Sequence, residues 1–188
     1  MSLESLLIWR CAPVLAGIKP ASLVAVSKKD FPNAQNEIAC LSESQRGNGV
    51  SFVTVCRCSE KVLVYVYRKD LLFSILLRKD VCDWLLLFGY KTDMTAEEKL
   101  GLLFSRLGCN CSVFPHEIGV FLGYPLEDVK GFVENGGQGA KYSGYWKVYS
   151  DEKGAIKMFD EYKKCFLKSE SLACLGVSFS EACELLSA

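Results

Sequence analysis

His116 is the only histidine in the chain. Any Ser–His, Cys–His or His-assisted proton transfer in a monomer must therefore pass through it. It stands in Phe114-Pro115-His116-Glu117, at the start of a predicted helix. The positive end of that helix favours a neutral imidazole and an ionised Glu117 carboxylate. Two kinds of chemistry follow. One is a ligand contact made by His116 and Glu117; the other is an enzyme pairing His116 with Glu117 or with a nearby thiol such as Cys11 or Cys165. The plainer alternative is a helix-start histidine bonded to backbone.

Two further segments carry unusual side chains. Tyr145-Trp146-Lys147-Val148-Tyr149, read as a strand, places Tyr145, Lys147 and Tyr149 on one face and Trp146 with Val148 on the other. The exposed face would be an aromatic platform with a cation, suited to a flat or anionic ligand. Cys11-Ala-Pro-Val-Leu-Ala-Gly-Ile-Lys19 is a rigid turn that would present Lys19 to an acidic ligand group, with Cys11 at its base. These segments define the candidate ligand-binding set His116, Glu117, Lys19, Tyr145, Trp146, Lys147, Tyr149 and Cys11, with no residue assigned as catalytic.

The ten cysteines invite a metal reading. Cys56/Cys58 and Cys109/Cys111 are Cys-x-Cys pairs, and residues two apart on a strand face the same side. Four thiolates would make a tetrahedral site only if the fold joined the two pairs. No Cys-x-x-Cys occurs, and Cys11, Cys40, Cys82, Cys165, Cys174 and Cys183 read as small buried hydrophobes in a reducing cytosol. No metal is assigned, and the cofactor is left unknown. Gly136-Gly137-Gln138-Gly139 with Lys141 follows a helix and precedes a strand. A phosphate loop joins a strand to a helix, so this one is a connector. The stretch from Phe114 to Val133 has the rhythm of a helix-turn-helix, turning at Gly123-Tyr124. Its second helix carries Glu127, Asp128 and Glu134 against Lys130, whereas a DNA-reading helix uses Arg, Lys, Asn or Gln. The segment therefore reads as a helical corner, with Ile118, Phe121, Leu122, Val129 and Phe132 inward, and an interaction module is the weaker alternative.

Positioning these groups needs a real core, and the composition supplies one. The chain has 188 residues, half of them hydrophobic and 23% charged, with 22 basic and 22 acidic residues. Such a chain is not disordered, and zero net charge removes the attraction expected of a non-specific nucleic-acid or anionic-membrane binder. No signal sequence opens the chain, and no uncharged apolar run reaches the ~18 residues of a membrane span. A soluble cytoplasmic protein of one domain, residues 1–188, is the expectation.

Leu3, Leu6 and Leu7 predict a first helix to Arg10, Ser22 to Val26 a strand, and Pro32 a helix toward Arg46. Val50–Arg57 and Lys61–Arg68 form the best hairpin, and the second of these is apolar on both faces, hence central. Asp70–Lys79 and Val81–Phe88 follow as two helices, or one bent helix, ending at Gly89. Thr95 with Glu98 makes a capping box for a helix stopped by Gly108. Pro115–Leu122 and Pro125–Glu134 are short helices, Gly144–Tyr149 a returning strand, Asp151–Leu167 a long helix and Ser180–Leu186 a last short one. A strand-rich part (about 20–68), a helical part (about 69–135) and a returning strand and helix (about 143–168) give an α+β fold. The expected sheet is small, mainly antiparallel or mixed, of about four strands packed with many helices.

Taken together, Cys11-Ala-Pro-x-Leu-Ala-Gly-Ile-Lys19 with Leu23, the block Phe114 to Val129, and Gly144-Tyr-Trp-Lys-Val-Tyr149 with Cys165 resemble the bacterial, mainly clostridial, family of domains of unknown function numbered 3793. The resemblance spans nearly the whole chain. It implies a single-domain cytosolic bacterial protein, carries no activity with it, and leaves the Cys-x-Cys pairs outside its motifs. The expectation is a binding or accessory protein for a small molecule, in a pocket where the His116 corner, the Tyr145–Tyr149 strand and the Cys11–Lys19 turn meet. Partners are a small molecule and, as an open alternative, another protein.

Overall fold

The computed structural model describes residues 1–45, 47–57, 60–107 and 114–187. Leu3–Arg10 (α1) and Ala12–Leu15 (α2) lead into strand Ala21–Ser27 (β1), then Ala34–Ser44 (α3) and the hairpin Val50–Arg57 (β2) and Lys61–Arg68 (β3). β3 has no polar face, so it must be covered on both sides. It lies at the centre of an antiparallel sheet ordered β1-β3-β2. Its register runs from Ala21 opposite Tyr67 to Ser27 opposite Lys61 on one side, and from Val50 opposite Arg68 on the other. A bulge at Thr54–Cys56 bends β2.

Lys69–Leu76 (α4), Lys79–Leu85 (α5) and a 3-10 turn Leu86–Phe88 follow, then Ala96–Arg106 (α6). The α6 capping box forms as expected: Thr95 Oγ1 accepts from the Glu98 N–H, and Glu98 Oε2 accepts from the Thr95 N–H. Gly108 lies outside the described residues. Ile118–Phe121 (α7) and Leu126–Glu134 (α8) make the corner, and Tyr142–Ser143 (β4) pairs with Lys147–Val148 (β5). Glu152–Leu175 (α9) and Phe179–Ser187 (α10) complete the chain. The fold is α+β.

Alternation along β3 divides the interior. Val62, Val64 and Val66 enter one core with α1, α2, α3, α10 and the C-terminal part of α9. Tyr65 enters a second core with α4 to α8, and its hydroxyl donates to the Phe121 carbonyl at 2.5 Å, tying α7 to the middle of the sheet. A third cluster joins Trp146 and Val148 to Ala155, Phe159 and Tyr162 of α9.

The structure departs from expectation in the returning strand. Gly144–Tyr149 does not run extended; the chain reverses at Gly144–Trp146, and only Tyr142–Val148 and Ser143–Lys147 pair. At this reversal Gly144 lies against α9, where a Cβ would stand 2.2 Å from Phe159 Cε2. The sheet of about four strands is therefore three strands plus a separate two-residue ladder; Trp146 and Val148 still pack together on α9, but Tyr145, Lys147 and Tyr149 share no platform, since Tyr145 packs on Phe166, Lys147 bonds to the Gly137 carbonyl and Tyr149 lies against Gly131. α9 also runs past Leu167 to Leu175, ending at Gly176 in the left-handed conformation. Among the described residues no helix is long and apolar enough to cross a membrane.

Candidate functional site

The corner is anchored from beneath by Glu117. Its carboxylate is 3% exposed and accepts from Arg106 Nη1 at 2.6 Å and from the Tyr90 hydroxyl at 3.4 Å. Arg106 also lies over the Tyr90 ring and donates to the Phe88 carbonyl. Burial, with the Glu117 charge added, pushes the Tyr90 hydroxyl well up, so it remains a donor. With Glu117 turned inward, His116 is left exposed at the start of the corner, its ring 5.3 Å from Phe132.

The corner then docks on the amino-terminal turn. Gly123 has φ +81° and lies so close to Pro20 that a Cβ would stand 2.2 Å from Pro20 Cγ. Only glycine meets both demands. The turn is held on its own side by Ile18 and Lys19 N–H groups, both donating to the Pro13 carbonyl at 3.0 Å.

Asp128 joins α8 to the β4–β5 hairpin. The residue is 2% exposed. Oδ2 accepts from Trp146 Nε1 at 2.8 Å. Oδ1 accepts from the Tyr149 and Ser150 N–H groups, both at 2.8 Å, and from Ser150 Oγ at 2.7 Å. Burial opposes ionisation here, but the donors from Tyr149, Trp146 and Ser150 outweigh it and hold the carboxyl below its usual range. The indole so fixed stacks on Tyr124 at 5.0 Å and meets Phe159 edge-on at 4.5 Å. Beside Asp128, Gly131 lets the Tyr149 ring lie against α8, with Tyr149 Cγ 2.5 Å from where a Cβ would be.

These contacts enclose a cavity of about 520 Å³ between α7, α8 and the β4–β5 hairpin. Leu23, Ile118, Leu122, Val129, Phe132 and Trp146 make it mostly apolar, and His116, Asp128, Ser143 and Lys147 supply the polar groups. Lys147 Nζ donates to the Gly137 carbonyl at 2.5 Å, which steadies the rim. Across Leu23, Leu122 and Tyr124 lies a second cleft, about 710 Å³, bordered by Trp9, Arg10, Lys19, Ser22 and Tyr145.

A family model described as a protein of unknown function (DUF3793) matches residues 7–181. The chain belongs to the DUF3793 family. No curated protein and no solved structure matches it.

The stretch matched to DUF3793 takes in the turn, the corner and the hairpin, and the structure brings these together around two spaces rather than one. His116, Trp146 and Lys147 line the first cavity, while Lys19 and Tyr145 line the second cleft. Glu117 is committed to Arg106 and Tyr90. Cys11 is fully buried in the core, where burial raises its thiol to about 12 despite the opposing charges of Lys19 and Arg10. Tyr149 packs on α8 with a buried hydroxyl that has no hydrogen-bond partner among the described residues. The thiol hydrogen bonds among the described residues belong to Cys82, not to Cys11 or Cys165. Cys58, Cys109 and Cys111 lie outside the described residues, as does the Cys56 side chain. Among the described residues no three His, Cys, Asp or Glu side chains gather as a metal-ligand group.

Asp128, Tyr124, Phe132 and Ser143 of this DUF3793 chain line the same cavity, although the sequence does not place them in the candidate ligand-binding set. In the sequence Asp128 is one of three acidic residues that set the second helix apart from a DNA-reading one. Gly131 was the available signal, because glycine within a helix costs about 1 kcal/mol relative to alanine and invites the question of what packs there.

Proposed function

We propose that this DUF3793 protein is a cytoplasmic binding protein for a small, largely apolar molecule bearing one polar group, held in the cavity between the α7–α8 corner and the β4–β5 hairpin. The observation that carries the reading is the cavity: about 520 Å³, apolar-walled, with the chain's only histidine at its edge. That volume lies in the range of about 300–1,000 Å³ usual for small-molecule sites. No described residue hydrogen-bonds the His116 imidazole, so it is available to a ligand's polar group, as is the Ser143 hydroxyl. Binding is preferred over catalysis because the neighbouring Glu117 carboxylate is engaged elsewhere, leaving His116 no second group to orient it among the described residues.

The test uses 1-anilinonaphthalene-8-sulfonate, an aromatic reporter with a polar group, titrated by fluorescence alongside native mass spectrometry for co-purifying small molecules. Ser143→Phe grows a ring from an exposed cavity-lining position and should weaken the reporter about tenfold, equivalent to about 1.4 kcal/mol. His116→Ala should weaken it severalfold with unchanged thermal stability. Equal affinity in the wild type and Ser143→Phe would place the reporter elsewhere and overturn the reading.

A further inference from the structure

Lys19 borders the second cleft under unusual conditions. Its Nζ lies 5.5 Å from the Tyr124 ring centre and 5.9 Å from that of Tyr162, and its hydrogen bond is to Ser22 Oγ at 3.5 Å. Among the described residues it forms no ion pair, and no acidic residue lines the cleft. Largely buried lysines are normally paired. The groups facing it add no negative charge near neutral pH. Cys11 on the α1–α2 junction, Tyr124 after α7, Tyr145 in the hairpin, and Tyr162 and Cys165 on α9 all have acidic protons pushed upward by burial, and Arg10 is itself a cation. The uncompensated ammonium, the aromatic walls of Trp9, Tyr124 and Tyr145, and Arg10 at the rim complement a ligand with a flat body and one negative end.

We propose that the cleft bordered by Trp9, Arg10, Lys19, Ser22, Tyr124 and Tyr145 is a second binding site, distinct from the His116 cavity, that takes a small aromatic carboxylate. The carboxylate pairs with the Lys19 ammonium and accepts from Ser22, and the ring lies against Tyr124 and Tyr145. A monoanion fits better than a phosphate dianion because one ammonium faces the interior; the Arg10 guanidinium is exposed and rests 4.6 Å from the Trp9 ring. Burial lowers the free Lys19 ammonium to about 8. A bound carboxylate favours the protonated form, so affinity holds below that pH and falls as pH rises through it.

The probe is salicylate, followed by its fluorescence and by calorimetry on the full chain, with inorganic phosphate and indole as comparisons. Salicylate should bind at pH 7 and weaken about tenfold by pH 9.5, a shift of about 1.4 kcal/mol. Lys19→Met should abolish the pH dependence and cost at least tenfold, and Lys19→Arg should retain binding without that pH dependence. Phosphate and indole should each bind at least tenfold more weakly than salicylate. Undiminished binding to Lys19→Met, no binding of salicylate at about 10 mM, or equal affinity for either comparison molecule would overturn the proposal. Retained thermal stability of Lys19→Arg separates a lost site from a lost fold.

Discussion

Asp128→Asn removes one negative charge and changes little else in volume, so its effect isolates the carboxylate. The side chain accepts four hydrogen bonds, three on Oδ1 and one on Oδ2. A new amide keeps the three on its oxygen but as a neutral acceptor, which loses roughly 1 kcal/mol at each. Its NH2 must then face the Trp146 indole N–H across a 2.8 Å contact. Two donors confront one another, the fourth bond is lost, and a buried donor is stranded, at about 1–3 kcal/mol. The lower cost of burying a neutral amide offsets about 1–2 kcal/mol. A net loss of about 3 kcal/mol is the expected outcome, a large share of the roughly 5–15 kcal/mol of a typical domain.

Urea unfolding followed by tryptophan fluorescence measures it directly, and with a slope of about 2 kcal/mol/M the midpoint should fall by more than about 1 M. The pH dependence supplies a second check. The folded Asp128 carboxyl sits below its usual range, while the unfolded one titrates near about 3.9. Its stabilisation is therefore complete above the unfolded value and lost as pH falls through the folded one. The variant cannot titrate, so the gap between it and the wild type should be constant above about pH 5 and narrow toward pH 3. A loss below about 1 kcal/mol at pH 7, or a gap that stays constant down to pH 3, would refute the account of Asp128 as the link between α8 and the hairpin.

Gly123→Ala must meet the left-handed backbone and the Pro20 ring at once; it should destabilise by more than about 2 kcal/mol in thermal or urea unfolding, and stability within about 0.5 kcal/mol of wild type would show that the corner does not depend on this contact. Tyr149→Phe deletes a buried hydroxyl with no partner among the described residues, so the free energy of unfolding should hold or rise, by up to about 1 kcal/mol of relieved desolvation. A clear loss of stability would mean that the hydroxyl is bonded in solution.

Much of the fold was legible because local signals and packing agree. β3 is apolar on both faces and is central; the Thr95–Glu98 pattern caps α6; Gly89 ends the segment before it. The returning strand was misread for a physical reason. Alternation in Tyr145–Tyr149 describes a strand only if a neighbour pairs along it, and here pairing stops at Ser143–Lys147, where the chain turns back with Gly144 against the Phe159 ring. α9 was drawn too short because its apolar stripe fades after Phe166, while the glycine that ends it stands at Gly176. At the site, His116, Trp146 and Lys147 were legible as rare or clustered side chains. Asp128 was not, because burial of a charge depends on donors more than fifteen residues away in sequence.

Tyr124 is where the two spaces meet, and its surroundings tie them energetically. One side of its environment holds the Trp146 indole that Asp128 fixes; the other holds the Lys19 ammonium. A cation over an aromatic ring and a stacked indole each contribute about 0.5–1.5 kcal/mol in such settings, so the orientation of Tyr124 answers to both. Its backbone follows Gly123, which is pinned on Pro20, leaving the ring little freedom to adjust to one space without disturbing the other. The His116 cavity and the cleft beside Lys19 therefore share a wall at Leu23, Leu122 and Tyr124, and the Asp128 carboxylate, although it lines only the first space, reaches the second through the Trp146 indole stacked on Tyr124.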